Sequence, residues 1–103
     1  MAYIIADNII SPLGETSEEN YLSVKAGRSG IRAYEPGTCN IPEGFYASLL
    51  FEDFETLALR SAQKAIANAQ LELKGKRTAF ILSSTKGNIE ENISLADSAQ
   101  RIA

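Results

Sequence analysis

The segment from Asp53 to Gln70 constrains the fold of this chain more than any other. Its apolar and small residues recur every 3.6 positions, which predicts an amphipathic α-helix with Asp53 as its N-cap. Small inner-face side chains let a helix backbone approach its neighbour closely, so this helix is predicted to be central. The predicted inner face is Phe54, Leu57, Ala58, Ser61, Ala62, Ala65, Ile66 and Ala69, and the outer face is Glu55, Arg60, Gln63, Lys64 and Asn68.

Two shorter helices are predicted on either side of the central one. The first begins at Thr16, which forms a capping box with Glu19, and ends near Ala26, where Gly27 supplies a left-handed C-terminal cap. The second covers Ile89–Ile102. Their predicted apolar contacts are Tyr21, Leu22 and Val24 in the first helix, and Ile89, Ile93, Leu95, Ala96, Ala99 and Ile102 in the second.

Three apolar segments are predicted to be β-strands: Tyr3–Ile10, Phe45–Leu50 and Thr78–Ser83. Residues 27–44 are rich in glycine and proline and are predicted to form a long loop. Since strands then alternate with helices, the fold class is predicted to be α/β, with a mixed or mostly parallel sheet flanked by helices. The connection from the first strand to the third is predicted to be right-handed.

Composition argues against several classes of function. The net charge is −3, so a general nucleic-acid surface is not expected. No apolar run approaches the ~20 residues of a membrane span, and the first residues lack the features of a signal peptide. A single cysteine is typical of a reducing compartment, so we expect a cytoplasmic protein.

Several of these features occur together in one known family. Ser11-Pro12-Leu13-Gly14 ends the first strand, Tyr21 lies in the first helix, and Ala26-Gly27-Arg28-Ser29-Gly30-Ile31 follows it. The alanine-rich helix and the segment Arg77–Ser83 come next. In this order the chain resembles the amino-terminal end of a β-ketoacyl synthase (3-oxoacyl-[acyl-carrier-protein] synthase). The resemblance implies that residues 1–103 are an incomplete part of a thiolase-like ketosynthase domain.

The resemblance also implies an activity and its partners. The family transfers an acyl chain from acyl carrier protein to a cysteine and extends it by decarboxylative Claisen condensation, in fatty-acid or polyketide synthesis. It uses that cysteine and two histidines, all downstream of this region, and no cofactor or metal. This chain contains no histidine, so we expect it to be inactive alone and assign it no catalytic residue. The exposed strand edges of such a part predict a homodimer or higher self-association.

Two departures from the family pattern leave the substrate open. Ala6 and Asn8 stand where the family's first strand usually has glycines, and the glycine-rich stretch after the later strand is reduced to Ser83-Ser84-Thr85-Lys86-Gly87. By the resemblance, Thr85 lies close to a position that gates the acyl pocket. Thr85 is therefore the one candidate substrate-binding residue.

Other candidate residues have simpler interpretations. Cys39 lies in a loop without a histidine to act as its base, so an incidental thiol is favoured over a nucleophile. Thr85-Lys86-Gly87 lacks the glycine spacing of a phosphate loop, and a polar turn is favoured there. A solvated charge is likewise favoured for Arg28, although it could meet an acidic carrier protein.

Two alternatives to the enzyme hypothesis stay open. The chain could belong to a non-catalytic, ketosynthase-like partner subunit that has lost its nucleophile. It could also be a stand-alone α/β interaction domain, which the absence of histidine allows.

Overall fold

A computed structural model describes residues 2–70, 77–88 and 93–103. The described residues form three α-helices and a two-stranded antiparallel sheet, so the predicted combination of helices and strands is confirmed, whereas the predicted mixed or mostly parallel sheet is not seen among them. Two compact units are present: one is Asn8–Phe51, and the other combines Met1–Asp7 with Glu52–Ala103. The elements are α1 (Ser17–Lys25), β1 (Arg32–Tyr34), β2 (Phe45–Ala47), α2 (Phe54–Ala69) and α3 (Leu95–Ile102).

The Ser11–Gly14 motif is a tight turn in the first unit. The amide of Ser11 donates to the carbonyl of Gly14 at 2.9 Å, and the amide of Gly14 donates back at 3.1 Å. A Cβ on Gly14 would lie 2.5 Å from the Cβ of Glu19, so only glycine fits against the start of α1. Ser11–Gly14 is one of several motifs on which the family resemblance rests. The close approach of this turn to α1 explains why its last residue is glycine.

Both ends of α1 are capped at the predicted residues, although the Glu19 carboxylate reaches the amide of Glu15 and not that of the N-cap Thr16. The Thr16 hydroxyl accepts from the amide of Glu19 at 3.1 Å, while the Glu19 carboxylate accepts from the amide of Glu15 at 2.7 Å. At the other end, Gly27 has φ 78°, and its amide donates to Val24. The amide of Arg28 donates to Ser23, which completes a Schellman motif.

The predicted apolar contacts of α1 are wrong. Tyr21, Leu22 and Val24 are all more than half exposed, whereas the buried side chains of this helix are Asn20 and Ser23. The reason is that the neighbouring Ser11–Gly14 turn presents carbonyl groups to α1. Polar side chains satisfy those carbonyls, so they occupy the inner face of the helix.

A short hairpin completes the first unit. Strands β1 and β2 pair antiparallel, with Tyr34 opposite Phe45 and their rings stacked at 5.3 Å. The predicted strand Phe45–Leu50 is therefore confirmed in its first three residues. Its partner β1 lies within residues 27–44, which were predicted to be a loop.

Helix α2 of the second unit has the predicted extent, but Glu55, Arg60 and Lys64 of its predicted outer face are half-buried. Helix α2 runs from Phe54 to Ala69, and the carboxylate of Asp53 accepts from the amide of Thr56 at 2.7 Å. Its predicted inner-face residues are half-buried, with the exception of Ile66, which is exposed. No residue of α2 is fully buried, so its faces have only partial cover.

The last helix is shorter than predicted. Helix α3 begins at Leu95, and the hydroxyl of its N-cap Ser94 accepts from the amide of Asp97 at 3.1 Å. Of the prediction for Ile89–Ile102, residues 89–92 lie outside the described residues. Ile102 is buried and is the one buried apolar side chain in the part of the chain that the structure describes.

Two segments that were predicted to be β-strands do not form strands in this structure. Tyr3–Ile10 and Thr78–Ser83 are described without any β-ladder, and within residues 2–70, 77–88 and 93–103 no parallel pair of strands occurs. A strand is stable only when a neighbour accepts and donates its backbone hydrogen bonds. Within those ranges neither segment has such a neighbour, so its apolar pattern does not become a sheet.

Candidate functional site

Thr85 lies in a short turn that precedes α3. The Ser84 hydroxyl accepts from the amides of Lys86 and Gly87, at 3.3 and 2.8 Å. Gly87 has φ 58°, a left-handed conformation that glycine adopts without strain. The side chain of Thr85 is exposed, so this turn presents it at the surface.

The turn is joined to α2 by a buried side chain, Asn88. Asn88 is 3% exposed, and its amide nitrogen donates to Oε2 of Glu55 in the first turn of α2. The backbone carbonyl of Asn88 accepts from the backbone amide of Ile93 at 3.2 Å. Asn88 therefore connects the end of the Thr85 turn with α2 and with Ile93, which lies just before α3.

Glu55 receives a second set of contacts from α3. Ser98 is fully buried, and its hydroxyl donates to Oε1 of Glu55 at 3.0 Å. Nη1 of Arg101 lies 3.8 Å from the same oxygen. We call Glu55, Asn88, Ser98 and Arg101 the Glu55 cluster.

The Glu55 cluster shows that the predicted solvent-facing position of Glu55 is wrong. The sequence analysis also did not identify the cluster itself. The period of α2 predicted that Glu55 lies on its solvent-facing side, but α3 and Asn88 cover this carboxylate, leaving it 15% exposed. An acidic residue in the first turn also favours the helix dipole, which is sufficient reason for its presence. The contacts with Asn88 and Ser98 span 33 and 43 positions, so no local pattern could have revealed them.

An open polar groove lies beside the cluster. It has a volume of about 420 Å³, and its described lining is Ile93, Asp97, Gln100 and Arg101. Both signs of charge are present, so the groove favours neither a simple anion nor a simple cation.

A second groove, in the same unit, is apolar. It has a volume of about 320 Å³ and lies where the amino-terminal segment passes α2. Its lining consists of Tyr3, Ile4, Ile5, Ala6, Ala65, Ile66 and Ala69. The small face of α2 thus lies beside the apolar segment that was predicted to be the first strand, and the groove between them could accept an apolar chain.

Cys39 and Arg28 lie in the first unit. Cys39 is exposed in a tight turn with φ 53°, and no histidine exists in the sequence to activate it. Arg28 is exposed and lines a groove with Glu19 and Ala26. Neither residue belongs to a cluster that could perform catalysis.

Neither a metal-binding cluster nor a membrane-spanning helix occurs in the part of the chain that the structure describes. Within residues 2–70, 77–88 and 93–103, no group of three or more histidine, cysteine, aspartate or glutamate side chains could hold a metal ion. None of the helices in those ranges is long and apolar enough to cross a membrane.

Comparison with known proteins gives no further assignment. No family model matches the chain, and no match is found among curated proteins or solved structures.

Proposed function

We propose that this chain forms the amino-terminal part of a β-ketoacyl synthase of the thiolase-like fold. The observation that carries the proposal is the order of motifs: the Ser11–Gly14 turn, the Ala26–Ile31 loop, the alanine-rich α2 and the Arg77–Ser83 segment. The tight turn, the Schellman end of α1 and the Asp53-capped α2 support it, because these three motifs have a definite local structure, whereas the Arg77–Ser83 segment is described without a β-ladder.

The proposed reaction needs residues beyond those of this chain. A cysteine thiolate attacks the acyl thioester of acyl carrier protein, and the carrier thiol leaves as the enzyme thioester forms. Malonyl-carrier protein then loses CO₂, and its enolate carbon attacks the enzyme thioester and expels the cysteine thiolate. Two histidines would stabilise the charge that develops on oxygen.

This chain would form part of the ketosynthase domain and would help to select the acyl chain. The groove beside α2 has an apolar lining that could contact an acyl chain. The exposed Thr85 turn could contribute a second contact to that chain. Acyl carrier protein and a second copy of the chain are the proposed partners. Exposed Arg28 has the charge to meet an acidic carrier.

Two other functions remain as alternatives. A non-catalytic partner subunit would share these motifs but lack the nucleophile. A stand-alone interaction domain would need neither histidine nor a second half of the fold. The absence of histidine is compatible with both, so a direct test must separate them.

The test begins with the complete reading frame that encodes this chain. We expect a cysteine in a small-residue turn and two histidine motifs after residue 103. The protein encoded by that frame should convert acyl- and malonyl-carrier protein into ketoacyl-carrier protein. Loss of the cysteine with retention of the fold would favour the partner subunit, and a native stop codon after Ala103 would favour the interaction domain.

A matched pair of variants tests the role of Thr85 in that protein. Thr85→Phe should narrow the pocket and shorten the preferred acyl chain, whereas Thr85→Ser should leave the product distribution unchanged. Chain lengths measured by mass spectrometry decide the matter. Equal distributions for the two variants would remove Thr85 from the pocket.

A further inference from the structure

We propose that Glu55 is a positioning residue for the Thr85 turn, which it holds through Asn88. The inference rests on the proposed function where it concerns acyl-chain selection, and on geometry alone where it concerns the turn. The two oxygens of Glu55 hold different segments: Oε2 accepts from Asn88 at the end of the turn, and Oε1 accepts from Ser98 in α3.

Because both donors are buried, the loss of these two hydrogen bonds should be costly. Asn88 is 3% exposed and Ser98 is fully buried, so water cannot readily replace the carboxylate as an acceptor. A buried donor that loses its acceptor keeps the full cost of its desolvation. Removal of both Glu55 oxygens should therefore displace the two donors from their present positions.

The connection from Asn88 to Thr85 is short, since only Lys86 and Gly87 separate them. The amides of Lys86 and Gly87 both donate to the Ser84 hydroxyl. The left-handed backbone of Gly87 fixes the direction in which the chain leaves the turn. We therefore expect a shift of Asn88 to reach Thr85, because two residues and two hydrogen bonds to Ser84 link them.

Charge contributes less than hydrogen bonding in this arrangement. Arg101 lies 3.8 Å from Oε1, and its side chain is 58% exposed, so solvent screens the pair. A neutral side chain that retains a carbonyl oxygen should replace Glu55 well. An apolar side chain of similar size should not replace Glu55, because it has no acceptor for Asn88 and Ser98. The test therefore compares a neutral polar variant with an apolar one.

Hydrogen–deuterium exchange of the chain, read by mass spectrometry, tests the positioning role. Glu55→Met removes both acceptors and keeps the size and helix propensity of the residue. We expect it to raise the exchange rate of the peptide covering residues 84–88 by roughly tenfold. Glu55→Gln should restore near-native exchange there, since it keeps one carbonyl oxygen for Asn88 while its amide can donate to Ser98.

Two further variants make the result specific. Glu52→Gln removes a carboxylate that is paired with Arg60 and should leave residues 84–88 unchanged. Ser98→Ala removes only the α3 side of the Glu55 cluster and should also leave them near-native. Native exchange of residues 84–88 in Glu55→Met would overturn the inference. So would an equal rise across the peptides of α2, because Glu55 would then support the whole unit.

The complete synthase separates this inference from the proposed function. There, Glu55→Met should broaden the distribution of product chain lengths, and Glu55→Gln should retain it. If Thr85→Phe shortens the products while Glu55→Met leaves them native, the inference is wrong and the proposed function stands. If neither variant alters the products but exchange at residues 84–88 responds as expected, the positioning role stands and the acyl-pocket role fails.

Discussion

At the scale of single residues, Asn20 is the main organiser of the first unit. It is buried in α1, and its side-chain nitrogen lies 3.0, 3.2 and 2.7 Å from the carbonyl oxygens of Ile9, Gly14 and Thr16. Its side-chain oxygen accepts from the hydroxyl of Ser11. One amide side chain thereby ties the Ser11–Gly14 turn to the helix.

We therefore expect Asn20→Ala to destabilise the protein. Truncation removes the side-chain donor to the Ile9 carbonyl and the acceptor for the Ser11 hydroxyl, at a cost of about 1–3 kcal/mol in the free energy of unfolding. Urea denaturation measures the change. Asn68→Ala, the same substitution at an exposed position of α2, is the control and should be nearly neutral. Equal midpoint shifts would contradict the role of Asn20.

Asp53 makes the stability of α2 depend on pH. Hydrogen bonds from the side chain and the backbone amide of Thr56 lower the pKa of Asp53 below its ordinary value of 3.8. The unfolded chain therefore binds this proton at a higher pH than the folded chain does. The stabilisation is complete above about pH 3.8 and is lost as the pH falls through the lower, folded pKa.

This pH dependence can be measured with one variant. Asn at position 53 still caps a helix but does not titrate. Asp53→Asn should therefore lose less thermal stability than the native chain when the pH falls from about 5 to about 2.5. Glu43→Gln, in an exposed loop, is the control for loss of a carboxylate. The prediction fails if Asp53→Asn and the native chain lose stability in parallel.

At the scale of elements, neighbouring positions of α2 differ in burial. Ala65 and Ala69 line the apolar groove with the amino-terminal segment, and Ala62 is half-buried on the same predicted face. Gln63 is exposed. Position 62 is therefore expected to be more sensitive to added volume than position 63.

Adjacent substitutions test that asymmetry. Ala62→Leu should overpack the half-buried side and cost about 1 kcal/mol, the low end of the usual range for such changes. Gln63→Leu adds an apolar side chain to the exposed side and should be nearly neutral. Urea midpoints for the two variants give the comparison. Similar shifts would mean that the inner face has been wrongly assigned.

At the scale of the whole molecule, apolar side chains are mostly uncovered. Among the described residues, Ile102 is the one buried apolar side chain, while Ile4 and Ile81 are 89% and 86% exposed. These two lie in the segments that were predicted to be strands. Extended apolar segments without a paired neighbour recruit other strands, and large apolar patches promote association.

The isolated chain should consequently self-associate. We expect a dimer or higher oligomer, or low solubility, in light scattering over a concentration series. The replacements Ile4→Lys and Ile81→Lys should reduce the association, and Gln63→Lys, on an exposed helical position, should not. A stable monomer at high concentration with a cooperative thermal transition would instead favour a stand-alone interaction domain.

The sequence by itself determined the local features of this protein. The caps at Thr16, Asp53 and Ser94 and the Schellman end at Gly27 depend on partners within about four or five positions, so nearby residues decide them. Of these, all except the Ser94 cap were predicted. The extent of α2 followed from its apolar period for the same reason.

Only the tertiary structure decided which surfaces are covered. The apolar pattern of Tyr3–Ile10 could not reveal whether a strand lies beside it, since pairing depends on distant residues. The polar inner face of α1 and the Glu55 cluster are also set by other segments, the latter across 33 and 43 positions. Local patterns specify elements, and contacts distant in the chain specify which of their faces become buried.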